Sequence, residues 1–164
     1  MNSRLAASAT RRLAGIAALG VAVALGTTGC TFMTHQATTI SYPASDGVNV
    51  ESTGGSVVVR NAFVVATEDG SAGNLVAALV NEGDETATLT IDIAGQQLRV
   101  RVPAGGAVNL GGTDEPLLID ALDVLPGATV EALFVSGDGD ATPSEIPVLD
   151  GTLPYYEDLV PEGA

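Results

Sequence analysis

Lysine and tryptophan are absent from the 164 residues, and the chain holds one cysteine, one histidine and two methionines. The only cations are six arginines. Arg4, Arg11 and Arg12 precede position 30, so that Arg60, Arg99 and Arg101 stand against all 20 Asp and Glu residues beyond it, a formal charge of −17. A body so acidic repels nucleic acid and anionic lipid, because gripping phosphates requires a basic patch. Nucleophilic catalysis needs an activated Ser, Cys or Lys beside a base, and no His, Lys or Cys lies beyond His35. Paired carboxylates can cleave glycosides, yet no acid pair sits in a recognisable motif, and the tyrosines that could stack on sugars are only Tyr42, Tyr155 and Tyr156. No Gly-rich phosphate loop opens a helix. Composition therefore points to a non-enzyme with no catalytic residues.

What is present begins with an export signal. Arg4, Arg11 and Arg12 form a basic start, Leu13 to Leu25 an apolar run, and Leu25-Gly26-Thr27-Thr28-Gly29-Cys30 a small-residue end. The run falls short of the about 20 residues a spanning helix needs. This arrangement resembles bacterial lipoprotein signal peptides, with Thr28 and Gly29 before the cysteine and Thr27 where leucine is preferred. The resemblance implies diacylglycerol on the Cys30 thiol, cleavage before Cys30, and a lipid-anchored protein on the extracytoplasmic face of the cell membrane. Two or more acyl chains hold a protein stably, at about 0.8 kcal/mol per buried methylene. Thr10-Arg11-Arg12-Leu13 also touches the twin-arginine export pattern, although Ala14 stands where a large apolar residue is preferred, so the export route stays open.

The chain thus divides into a signal peptide over 1–29, a lipidated cysteine and flexible tether over 30–42, and one domain over 43–164. Within the domain the hydrophobic period is two. Ala87, Leu89, Ile91 and Ile93 alternate with Thr88, Thr90 and Asp92, and Leu98, Val100 and Val102 alternate with Gln97, Arg99 and Arg101. A type II′ turn at Gly95-Gln96 would join these strands, setting Ile93 opposite Leu98 and pairing Asp92 with Arg99. Ser56 to Thr67 is apolar on both faces, as a central strand is, with Asn61 marking a bulge. Further strands are expected over 74–81, 108–110, 117–122, 129–136 and 146–149. Seven to eight short strands without a capped helical period predict an all-β, immunoglobulin-like sandwich.

The lipobox, the tether, Val57-Val58-Val59-Arg60-Asn61-Ala62-Phe63-Val64-Val65 and Leu75-Val76-Ala77-Ala78-Leu79-Val80-Asn81-Glu82-Gly83 together resemble actinobacterial sandwich lipoproteins. Some of these are grouped with copper-chaperone-like domains, and others are accessory subunits of the actinobacterial respiratory supercomplex. The resemblance implies a non-catalytic binding or accessory module, a partner in another membrane protein or complex, and no cofactor beyond the lipid. The alternative it leaves open is a copper- or calcium-binding carrier. For copper the soft ligands are Met33 and His35, a Met-x-His pair in the tether. For calcium the hard ligands are Asp138 and Asp140 in Ser136-Gly137-Asp138-Gly139-Asp140, without EF-hand spacing, since Leu149 occupies the twelfth position of a loop begun at Asp138. For a partner, Tyr155 and Tyr156 stand beside apolar residues near the carboxy terminus. They either anchor an interface or fold back over the sandwich.

Overall fold

The computed structural model describes residues 45–162. Cys30, Met33, His35 and the signal segment lie outside them, as does Tyr42. Eight strands carry nearly all the regular structure: β1 Val57–Ala66, β2 Gly73–Asn81, β3 Ala87–Ile93, β4 Gln96–Val102, β5 Ala107–Leu110, β6 Leu117–Ile119, β7 Thr129–Val135 and β8 Ser144–Leu149. They run in the order β4-β3-β7-β8-β1-β2-β5, with β6 also on β2. The all-β sandwich expected from the alternation is the fold found. Its two halves meet at β8, which pairs antiparallel with β7 through Thr129↔Pro147 to Ala132↔Ser144, then parallel with β1 through Val64↔Val148 and Val65↔Leu149. That crossover turns two sheets into one nearly closed mixed sheet. Leu75, Leu79, Leu89, Ile91, Phe134 and Ile146 fill the space between the halves without solvent exposure.

Asn61 decides what happens on the outside. Its backbone is left-handed, at φ 51°, and the β1–β2 register slips between Arg60 and Phe63. One extra residue reverses which parity faces inward. Val57 and Val59 enter the core before the bulge, whereas Ala62, Val64 and Ala66 enter it after. Phe63 and Val65 are consequently turned to the outer face, where with Val76 they form a second apolar cluster. A sandwich cannot leave such a patch in water, and the carboxy-terminal segment covers it.

The β3–β4 hairpin corrects the register expected from sequence. Its turn is Ala94-Gly95, both at positive φ (49° and 72°), as a two-residue type I′ turn requires. Ile93 therefore opposes Gln96, Ile91 opposes Leu98 and Leu89 opposes Val100. A shift of two residues keeps every side chain on its expected face but separates Asp92 from Arg99. Asp92 Oδ1 instead accepts from Gln97 Nε2 at 3.2 Å, and Arg99 Nη2 donates to Gln97 Oε1 at 3.1 Å.

The turn after β2 is organised by one buried side chain. Asn81 Nδ2 donates to the carbonyls of Glu85 (2.7 Å), Pro103 (3.1 Å) and Val102 (3.2 Å), while its Oδ1 accepts from Ser56 Oγ (2.8 Å) and the Gly83 amide (3.0 Å). Asn81 thereby ties β1, β2, β4 and the 82–85 turn together without leaving a polar atom unpaired.

Candidate functional site

The segment after β8 is a strap laid over the outer face of β1 and β2. Asp150 starts it with a local turn, its Oδ1 accepting from the Thr152 amide at 3.1 Å and the Thr152 hydroxyl at 2.6 Å; these bonds, the hydroxyl first, hold its carboxyl below the usual range. Gly151 lies so close to Val160 that a Cβ there would overlap the valine side chain. The strap then turns at Leu153–Tyr156 and ends in a short 3-10 turn over Glu157–Leu159. Asn74 Nδ2 holds its far end through the Leu159 carbonyl at 2.9 Å.

Tyr156 is the pin of this strap. Only 6% exposed, its ring lies 5.3 Å from that of Phe63, tilted, and Leu149, Leu159 and Val160 pack around the same cluster. Its hydroxyl donates to Asp46 Oδ2, joining the strap to the beginning of the described chain. Burial first, and then the Asp46 carboxylate, push the phenol well above its ordinary pKa. Tyr155 behaves oppositely. It stands 62% exposed with its ring edge-on to Tyr156, centroids 4.5 Å apart. Of the two tyrosines singled out in the sequence, one is built into the fold and the other presents its ring to solvent.

Three open grooves border the strap. The largest, about 490 Å³, is lined by Leu125, Pro126 and Val160, by the buried Ala66, and by the exposed Glu68 and Asp150. A second, about 390 Å³, lies between Leu153 and Gly127 and shares Asp150, Thr152 and Tyr156 with its neighbours; Asp46 lines it. The third, about 290 Å³, is bounded by Tyr155, Asn61 and Gly111. Of the large apolar side chains left exposed among the described residues, Leu125 (61%), Leu153 (44%) and Tyr155 (62%) all stand on these grooves, and Leu118 (47%) lies on β6.

The other candidates lie elsewhere. Asp138 and Asp140 are exposed at the β7–β8 loop, which is held against the chain near Gly54 by Ser136 N–H to the Thr53 carbonyl (2.8 Å) and Gly139 N–H to the Gly54 carbonyl (3.0 Å). No group of three or more His, Cys, Asp or Glu side chains is placed to hold a metal ion among the described residues. These residues contain no thioether, imidazole or thiol at all, so the soft donors that suit Cu(I) are not on the sandwich. Asp69 has its carboxyl lowered to about 2, first by the Thr67 hydroxyl (2.7 Å) and then by the Ser71 amide (3.1 Å) and hydroxyl (2.8 Å), which makes it the closing residue of the β1–β2 turn. Leu125, Glu68 and Asp150 carried no functional signal in the sequence, apart from Leu125 preceding the Pro126-Gly127 turn, whereas Leu153 opens the apolar carboxy-terminal segment that holds Tyr155 and Tyr156.

No protein-family model matches the chain, and no curated protein matches it. Among solved structures, the chain is similar in shape to the apo PCuAC domain of PmoF2, at 14% identity and TM-score 0.49 over 64% of this chain and 97% of that one. It is likewise similar to the copper-bound PCuAC domain of PmoF2 (15% identity, TM-score 0.47, 60% of this chain and 97% of that one). A third such domain, the apo PCuAC domain of PmoF1, is 16% identical with TM-score 0.46, over 58% of this chain and 94% of that one.

Proposed function

We propose that the protein is a non-catalytic binding module, lipid-anchored through Cys30 on the extracytoplasmic face of the cell membrane, where it serves as an accessory subunit of a membrane-protein assembly such as the actinobacterial respiratory supercomplex. The observation that carries this reading is the grooved face around the strap, which gathers Leu125, Leu153 and Tyr155 on an otherwise strongly acidic surface. The chemistry of the described residues points the same way: without His, Lys or Cys they offer no activated nucleophile, and the lowered carboxyls of Asp69 and Asp150 are accounted for by turns. The lipobox-like ending at Cys30 supports the anchor. The test is the size of the particle that carries the protein in a mild-detergent extract of native membranes, read on a native gel. Migration with a large membrane complex supports the proposal, and migration as a free, unassociated lipoprotein would remove it.

A copper carrier is the second reading, favoured by one feature of the sequence, the Met33-x-His35 pair. Copper would be held by those two side chains, ahead of the sandwich. Metal analysis of the dialysed full chain distinguishes the readings: copper retained by the wild type and lost in Met33→Leu/His35→Ala supports a carrier, and copper at background in both removes it.

A further inference from the structure

From the grooves beside the strap we infer that this face is a docking surface for an apolar peptide segment flanked by lysine or arginine. The inference rests on the accessory-module reading and specifies its contact. Leu125 is the centre of the argument. It is 61% exposed, precedes Pro126, and lines with Val160 and Ala66 a groove of about 490 Å³. A cleft of this size takes two or three aliphatic side chains, and filling it would remove the exposed leucine from water. The charged lining is anionic throughout. Glu68 and Asp150 line this groove, Asp46 lines the adjoining one, and none of Arg60, Arg99 or Arg101 borders either. An apolar insert with cationic flanks satisfies the apolar and the anionic lining together, whereas an acidic segment would meet like charge. Leu153 extends the apolar surface into the second groove, which shares Asp150 and Thr152 with the first, so one extended segment can lie across both.

The test uses purified full-length protein in mild detergent and three fluorescein-labelled peptides: a Leu-Val-Leu-Val centre with two lysines on each side, the same centre with glutamates, and a four-serine centre with the lysines. Fluorescence anisotropy is expected to show binding of the first alone, weakened by added salt as an ionic lining requires. Leu125→Ser should lower that affinity about tenfold, the loss of roughly one aliphatic contact. Leu118→Ser, at another exposed leucine that lines none of these grooves, should leave it unchanged. Equal binding of the serine-centred or glutamate-flanked peptide, an unaltered affinity in Leu125→Ser, or an equal loss in Leu118→Ser would each overturn the inference. Because Leu125 is already exposed, circular dichroism of the variant should match wild type. No native partner enters this assay, so its failure beside intact migration with a membrane complex would move the docking surface, while loss of that migration would remove the underlying reading.

Discussion

Replacing Tyr156 by alanine should weaken the fold more than any other change in the strap. The side chain is 6% exposed and joins Phe63, Val65 and Val76 in the outer cluster. Removing a buried aromatic ring costs about 3–5 kcal/mol. The strap lies on the surface and can settle into the vacated space, which places this site near 3 kcal/mol. The hydroxyl accounts for about 1 kcal/mol of that, because the exposed Asp46 carboxylate regains water when its donor is lost. For a domain of this size 1 kcal/mol corresponds to about 4 °C, so Tyr156→Ala should lower Tm by roughly 10–15 °C and Tyr156→Phe by roughly 4 °C. A double-mutant cycle with Phe63→Ala should return a coupling of about 1 kcal/mol for the tilted ring pair. Calorimetry reads each variant. A loss below about 1 kcal/mol for Tyr156→Ala, or a coupling of zero, would show that the strap is not integral to the outer cluster and refute the reasoning.

Alkaline stability should follow the same residue: the folded-state phenol titrates above its unfolded value near 10, so its contribution is complete below pH 10 and is lost as pH rises through the folded pKa, and Tyr156→Phe should flatten that part of a urea-midpoint profile. Asp69 behaves in the opposite sense, its contribution present above about pH 4 and lost as pH falls toward its folded value of about 2; Asp69→Asn should remove that acid-side dependence in the same assay. Asn81→Ala strands a Gly83 amide, a Ser56 hydroxyl and three carbonyls around a buried site, and chemical denaturation should show a loss of about 2–4 kcal/mol. Ala94→Asn gives the hairpin an Asn-Gly turn in place of a strained left-handed alanine, and should raise stability by about 0.5–1 kcal/mol without altering cross-strand contacts seen by NMR.

Alternation over 87–93 and 97–102 was enough to read the faces of β3 and β4, because a strand with one wet side writes its burial into every second residue. The turn between them lies one position earlier than the pattern predicts, which shifts the register by two residues. Gly95 suits either a first or a second central position, and nothing in the sequence shows that Ala94 would accept a positive φ. Asn61 signalled the bulge, yet the reversal of parity that turns Phe63 and Val65 outward is a consequence of pairing with β2, and no local pattern contains it. The parallel contact of β8 with β1 rests on two residue pairs far apart in sequence. The candidate site was legible only in part. Tyr155 and Tyr156 drew notice as aromatics in an aromatic-poor chain, but the grooves beside them are made by Leu125, Val160 and Asp150, which meet only after the sandwich has closed.

The central claim is that this sandwich works as an anchored partner of a membrane assembly. A carboxy-terminally tagged chain, pulled down from native membranes in mild detergent and quantified by mass spectrometry, tests that claim directly. The account predicts an integral membrane complex in near-stoichiometric amount, reduced in Leu125→Ser. Recovery of the lipoprotein alone at full yield would contradict it.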